Sequence, residues 1–458
     1  MALTVAYDGQ LSRVRLDSTG LFADAPVRVE RSTNGVRWTP VRGGAELVPG
    51  GGVLRLDDYE FAPDVPNHFR VLGPPAHDGF GRTASGTWDT ADSGQAWQFT
   101  GTEWSVSAGA GRITHASQNT TLINTLPGSY VDTHLRVHTW LGVVPAGASW
   151  EAELVARYID GSNTYRAGVI YNPSGTVSMW IRRIVAGATT NLVGPQVIAT
   201  GVTGSEVWII DFAVAGRSLR AKAWQRDTPE PGWMQVATDS SLPAAGRVGV
   251  RSRRNAATTG SLTSWDRFVA LAPLTPLSGQ AGVITPTLGQ VWLKSISRPF
   301  LNRAVVVKDY SDVERPERAG VFEIVGRSVP VVVHDVRGSR RWTLEILTET
   351  PDEAADFDLI MSSGDTMLIH TPASCDVPSG YVTIGTVSAA RPARRSRRRV
   401  FSLPCVEVAA PGPDVVGATL TCQTLLNTYP TCSDVLAAHP TCADLLDLIG
   451  DPVDVVVP

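Results

Sequence analysis

Long apolar runs are missing from this chain. None approaches the roughly 18 residues that a membrane-spanning helix needs, so no helical span is expected. Cysteine is scarce, and five is an odd number, which suits free thiols better than a disulfide framework. Neither sign of charge dominates: Lys and Arg total 40, Asp and Glu 44, for a net charge of −4. That balance gives no general pull toward nucleic acid or a membrane surface. A G-x-S-x-G elbow, an H-E-x-x-H pair and a G-x-x-x-x-G-K-[ST] loop are all absent. The opening "MALTVAYDGQL" enters an alternating strand without a basic n-region or an apolar h-region. A chain folding in a reducing cytoplasm is therefore expected.

What is present is turn formers and aromatics. The 43 Gly, 31 Pro and 13 Trp point to a mainly β, multidomain chain with aromatic-filled cores. Residues 1–75 read as an Ig-like or fibronectin-III-like sandwich. There Asn34-Gly35 signals a two-residue hairpin that pairs positions 31 and 38, placing Val27 and Val29 on one face with Val36 and Trp38. Residues 78–272 carry evenly spaced period-two runs: Tyr165, Ala167, Val169 and Tyr171; Val177, Met179 and Ile181; Trp208, Ile210, Phe212 and Val214. That length of strand and turn predicts a two-sheet jelly roll. Residues 285–411 form a third β region with one helix, for which Thr350 is the N-cap, Pro351 the first position and Glu353 the capping-box partner. Its apolar face carries Ala354, Phe357 and Ile360 or Met361.

Two stretches are familiar. "DGFGRTASGTWDTADSGQAWQFTG" (78–101) and "LRAKAWQRDTPEPGWMQVATDSSLPAAGRVGVRS" (219–252) resemble the opening and closing strands of concanavalin-like, laminin-G-type jelly rolls. "GRSVPVVVHDVRGSRRWTLEILTETPDEAADFDLIMSSGDTMLIHTP" resembles the ring-forming domain of siphophage distal tail proteins. In the order of its parts the whole chain is similar to actinobacteriophage minor tail proteins. That resemblance implies a non-enzymatic structural component of a virion tail tip. It also implies partners in the tail tube, the hub and further tail-tip proteins, and host surface glycans as a contact of the jelly roll. Some glycosidases of the jelly-roll kind carry an E-x-D-x-x-E strand, which this sequence lacks. The rival reading is a carbohydrate-binding subunit or glycosidase of a bacterial carbohydrate-active system.

Residues 412–458 hold a ten-residue unit written three times, with Thr-Cys at 421–422, 431–432 and 441–442. Thr431/Asp434 and Thr441/Asp444 have capping-box spacing, and Pro430 and Pro440 limit each helix to about two turns. So short an apolar face must pack on the rest of the chain or on other copies in a homo-oligomer. Cys422, Cys432 and Cys442 are then small packing residues, a source of one disulfide, or metal ligands gathered by an oligomer. No cofactor is called for.

Candidate site residues remain few. Glu151 and Glu153 share a strand face, for which a solvated outer face is expected. His134 and His138 lie four apart on a strand, roughly 13 Å, too far for one zinc ion. Trp140, Trp180 and Trp224 are candidate glycan platforms, with Trp150 and Trp233 as further aromatics; core filling is the competing role for each. "RPARRSRRR" (391–399) reads as a solvated hairpin, an inter-subunit contact with acidic surfaces, or a phosphate-binding patch.

Overall fold

The computed structural model describes residues 2–260, 262–412, 429 and 431–438. The chain is mainly β, and its described residues divide into two compact units, one drawn from residues 24–26 and 73–275, the other from 2–23, 27–72 and those after 275.

The first unit is a jelly roll of two antiparallel sheets. One has nine strands, ordered Gln235–Thr238, Ser218–Gln225, Trp208–Ala215, Thr133–Trp140, Leu262–Ala272, Ala110–Thr114, Trp104–Ser107 and Ala84–Ser85, with His77–Asp78 also paired to Leu262–Ala272. The other has six, ordered Thr120–Tyr130, Gly246–Arg254, Trp150–Asp160, Asn163–Tyr171, Thr176–Val185 and Ala188–Thr200. Alternation decides the faces: Leu135, Val137, Ile210, Phe212, Leu219 and Ala221 of the larger sheet meet Ala152, Leu154, Ala167, Val169 and Met179 of the smaller. At one end Phe80, Trp88, Trp97 and Trp104 form an edge-to-face cluster with centroids 5.0–5.3 Å apart for successive Trp88 contacts. The polar edges of that wedge are satisfied, since Trp97 Nε1 donates to Asp78 at 2.6 Å and Trp88 Nε1 to the Arg112 carbonyl at 3.0 Å.

The second unit joins residues far apart in sequence. Ala2–Asp8, Arg13–Thr19 and Val53–Asp58 form one sheet; Thr275–Ile284, Asn67–Gly73, Arg28–Ser32 and Thr39–Pro40 form another. Leu288 and Trp292 enter the core of Val14, Leu16, Val29, Leu56 and Phe61. Residues of the 1–75 and 285–411 segments thus share a unit and a core. Lys294 ties them by donating to the Ser12 and Tyr59 carbonyls, both at 2.7 Å, and burial pushes its pKa down to about 7.

The 34–35 turn differs from expectation. Arg31 pairs with Thr39, not with position 38, and Asn34 Oδ1 accepts the Val36 and Arg37 N–H groups at 2.9 Å. This side-chain turn lengthens the loop and leaves Val36 exposed, so Val36 and Trp38 do not line the core face of Val27 and Val29. Trp38 instead lies under Arg70, 4.0 Å from the guanidinium carbon.

Six further strands make a closed sheet. Arg341–Thr348, Arg303–Tyr310, Val291–Ser295, Met367–His370, Gly380–Ile384 and Arg399–Glu407 follow one another, and the last pairs back onto the first. Ring closure removes the unpaired edges of an open sheet. The expected helix is present at Pro351–Met361: Thr350 Oγ1 accepts the Glu353 N–H at 3.2 Å, and Phe357 and Ile360 are buried against the barrel core. Glu353 closes the box one residue further out than the usual pattern, on the Glu349 N–H at 2.8 Å. Residues 391–399 connect the paired strands Ser388–Ala390 and Arg399–Glu407, and Arg398 meets Glu349 at 2.6 Å.

Of the decapeptide units, the second has a described helix, Cys432–Ala438, with the reciprocal cap: Asp434 N–H to Thr431 Oγ1 at 3.2 Å and Thr431 N–H to Asp434 Oδ2 at 3.0 Å. Cys422 and Cys442 lie outside the described residues. Among the described residues no helix is long and apolar enough to cross a membrane.

Candidate functional site

Each sheet of the jelly roll turns one face to the core, so the outward positions hold whatever is not packing. On the nine-stranded sheet these are His134, Arg136, His138 and Trp140 of one strand, Asp211 of the next, and Arg220, Lys222 and Trp224 of the third. Arg136 is paired directly with Asp211, and Asp211 directly with Lys222. The result is a cation–anion–cation ladder across three strands, the arrangement that cross-strand pairing favours.

Asp211 is fully buried and accepts from Arg136 Nε at 2.7 Å, Arg136 Nη2 at 2.8 Å and His134 Nε2 at 3.1 Å. Burial pushes this carboxyl up, but the Arg136 and His134 bonds more than reverse the effect and hold it below the usual range. Asp211 is thus a fixed counter-ion. A second carboxylate, Glu230, comes from the loop 226–234; its side chain is 45 % exposed, and it accepts from Arg136 Nη2 at 3.0 Å and from Lys222 Nζ.

Two indoles flank the ladder. Trp224 lies 5.2 Å from the Arg136 guanidinium and 5.3 Å from Lys222 Nζ. Trp233 lies 5.0 Å from Arg220 and from Lys222, with the His134 ring centroid at 5.4 Å. Trp224 is buried, whereas Trp233 is half-buried and keeps accessible ring surface. An accessible indole beside fixed cations and an exposed carboxylate can stack on a sugar ring and bond its substituents.

The six-stranded sheet carries a different constellation. Glu151 and Glu153, expected to be solvated, are 6 % and 0 % exposed. Arg251 Nη1 bridges them, at 2.7 Å from Glu151 Oε2 and in contact with Glu153 Oε2. Arg182 stands 3.4 and 3.6 Å from the same carboxylates. Along one row of the sheet, Arg251 pairs with Glu153, Glu153 with Gly168, and Gly168 with Trp180. Gly168 has no side chain, and a Cβ there would collide with the Ala152 carbonyl. The Trp180 indole therefore reaches across it to donate to Glu153 Oε1 at 2.8 Å. Burial raises the Glu153 pKa, yet Arg251, Arg166 and Arg182 outweigh it and hold the carboxyl low. As built, Glu153 holds its charge, whereas a glycosidase general acid needs a raised pKa.

The sequence candidates are therefore divided. Trp180 is on the six-stranded sheet, 5 % exposed and covered by the Arg182 guanidinium. Trp224 and Trp140 are on the nine-stranded sheet, Trp140 half-buried at the end of the Thr133–Trp140 strand. Trp150 is in the core, with Nε1 donating to Ser252 at 2.9 Å. His134 serves Asp211, while His138 is buried, and its pKa is lowered to about 4 by burial and by the nearby Arg267, Arg226 and Arg136. Arg136, Asp211, Lys222 and Glu230 went unsingled in the sequence. A lone Asp inside the apolar run "WIIDFAVA" was the available signal. Among the described residues no group of three or more His, Cys, Asp or Glu is placed to hold a metal ion.

No family model matches the chain, and no curated protein does. Solved structures do. The CBM66 carbohydrate-binding module from Bacillus subtilis is 14 % identical, over 38 % of this chain and 92 % of that one, with TM-score 0.29. A β-glucanase from Bacillus licheniformis is 11 % identical, over 43 % and 97 %, with TM-score 0.30. A xylan β-1,4-xylosidase from Bacillus halodurans is 10 % identical, over 59 % of this chain but only 54 % of its own, with TM-score 0.31. Two of these three are glycoside hydrolases. The expectation of a non-enzymatic chain is corrected accordingly, because hydrolases stand beside binding modules among the folds that resemble it.

Proposed function

We propose that the jelly roll is a carbohydrate-recognition unit whose contact surface is the outer face of the nine-stranded sheet. The observation that carries this is Trp233, a half-buried indole flanked by Arg220, Lys222 and His134 beside the Arg136–Asp211–Lys222 ladder. Stacking supplies apolar contact, and the partly exposed Arg136 and Arg220 and the exposed Glu230 supply direction.

The test is affinity electrophoresis of the full chain through gels containing a panel of neutral and anionic polysaccharides, with reducing-end release followed in parallel. Retardation by at least one glycan, abolished by Trp233→Ala, supports the reading. Unretarded migration in every gel overturns it.

A second reading concerns setting: the chain serves at a siphophage tail tip, as the resemblance in its sequence implies, with tail-tube, hub and tail-tip proteins as partners. Support for an assembled state comes from the hairpin Ala319–Phe322 and Val331–His334, where Val321, Phe322, Val332 and Val333 are exposed. Consecutive valines put apolar side chains on both faces of a two-stranded ribbon that is marginal by itself. Immunogold labelling of purified phage particles decides this reading. Gold at the distal tail supports it, and unlabelled particles sink it.

A further inference from the structure

Resting on the carbohydrate-recognition reading, we propose that Arg136 and Lys222 form a carboxylate subsite, now filled by Glu230, for a uronic-acid residue of an acidic glycan. Glu230 differs from every other carboxylate of the cluster in its position. Asp211 is sealed in the sheet and holds both cations whether or not Glu230 is present, with Lys222 Nζ 3.9 Å from Asp211 Oδ2. Glu230 belongs to a loop, is nearly half exposed, and touches the solvent side of the same two cations.

Removing Glu230 would leave a preformed site. Arg136 keeps its two bonds to Asp211, and Lys222 keeps the Pro231 carbonyl at 3.3 Å. Two cations, Arg136 and Lys222, then face one buried anion, with Arg220 over the neighbouring Trp233. The loop is tied at its ends, by the Thr228 N–H to the Gln225 carbonyl at 3.0 Å and by the Met234 N–H to the Ala221 carbonyl at 3.1 Å. Between those ties Glu230 can leave without breaking the sheet.

The chemistry of the displaced group names the ligand. A side-chain carboxylate fits between a guanidinium nitrogen and an ammonium here, so a sugar carboxylate fits the same place. Trp233, beside Lys222, is where the pyranose ring would stack. A neutral sugar cannot replace the charge that Glu230 provides.

The experiment uses the full chain in affinity gels of polygalacturonate, its fully methyl-esterified form, laminarin and dextran sulfate. Polygalacturonate should retard the chain, the methyl ester and dextran sulfate much less. Lys222→Gln should weaken that retardation. Glu230→Gln should strengthen it by about threefold, the size of one exposed ion pair released. Glu230 is exposed, so this variant tests the idea even if Lys222→Gln fails to fold. Equal retardation by polygalacturonate and its ester, unchanged in Glu230→Gln, would overturn the carboxylate subsite and leave carbohydrate recognition standing. Equal retardation by dextran sulfate would overturn it as mere charge attraction. Binding to laminarin alone would do the same. No retardation by any of these or by the wider panel would remove the underlying reading itself.

Discussion

Arg136 grips both oxygens of the Asp211 carboxylate, at 2.7 and 2.8 Å, from the directly opposite position on the neighbouring strand. The pair is a structural element of the face proposed for recognition. It removes a buried charge from the list of liabilities and holds a guanidinium at a fixed place on an outer sheet face.

Asp211→Asn should therefore cost about 3 kcal/mol, because it leaves Arg136 and Lys222 with a weaker, neutral partner. The denaturant midpoint of the jelly roll, followed by tryptophan fluorescence, should fall accordingly. A midpoint unchanged from the parent would mean that the ladder carries no stability.

The Glu151–Arg251–Glu153 bridge makes a sharper case. Arg251→Met leaves two buried carboxylates facing each other and should cost roughly 3–5 kcal/mol. The double variant Arg251→Met/Glu153→Leu should lose less than Arg251→Met alone. Equal losses would show that the charges do not interact through Arg251.

Acid should weaken the jelly roll through two buried histidines. His115 and His138 have pKa values lowered to about 4, in both cases chiefly by burial, then by neighbouring arginines. Between about pH 4 and 6.5 the unfolded chain binds protons that the folded one does not. Stability therefore rises with pH across that window, by up to roughly 1.4 kcal/mol per pH unit and group. Urea midpoints at pH 5 should lie below those at pH 7, and His138→Gln should flatten the dependence. An unaltered slope in that variant would refute the assignment.

Thr350 caps the Pro351–Met361 helix through one side-chain bond. Thr350→Ala should destabilise the barrel unit by about 1 kcal/mol, and Thr350→Ser should restore most of it. Calorimetry of the three chains checks both values.

Alternation made the inward faces readable, and the Thr350 cap and Phe357–Ile360 stripe were legible because caps and periodicity are local. The same alternation told that Glu151 and Glu153 point outward, but not that outward would be buried. Arg251 lies about a hundred positions away in sequence, and Arg166 and Arg182 belong to two further strands. The Asn34-Gly35 register failed for a local reason: an Asn side chain bonding two N–H groups competes with the tight turn. Joining Leu288 and Trp292 to the N-terminal core was also illegible, because nothing in either segment names its partner.

One piece of topology has a mechanical side. The chain leaves the barrel-bearing unit at the end of the Asn67–Gly73 strand and re-enters it through Thr275–Ile284, its immediate neighbour in the sheet. A jelly roll inserted in this way is joined covalently to the rest of the chain on both sides of residues 73–275. A single proteolytic nick in either of those flanking crossings would leave it covalently attached through the other.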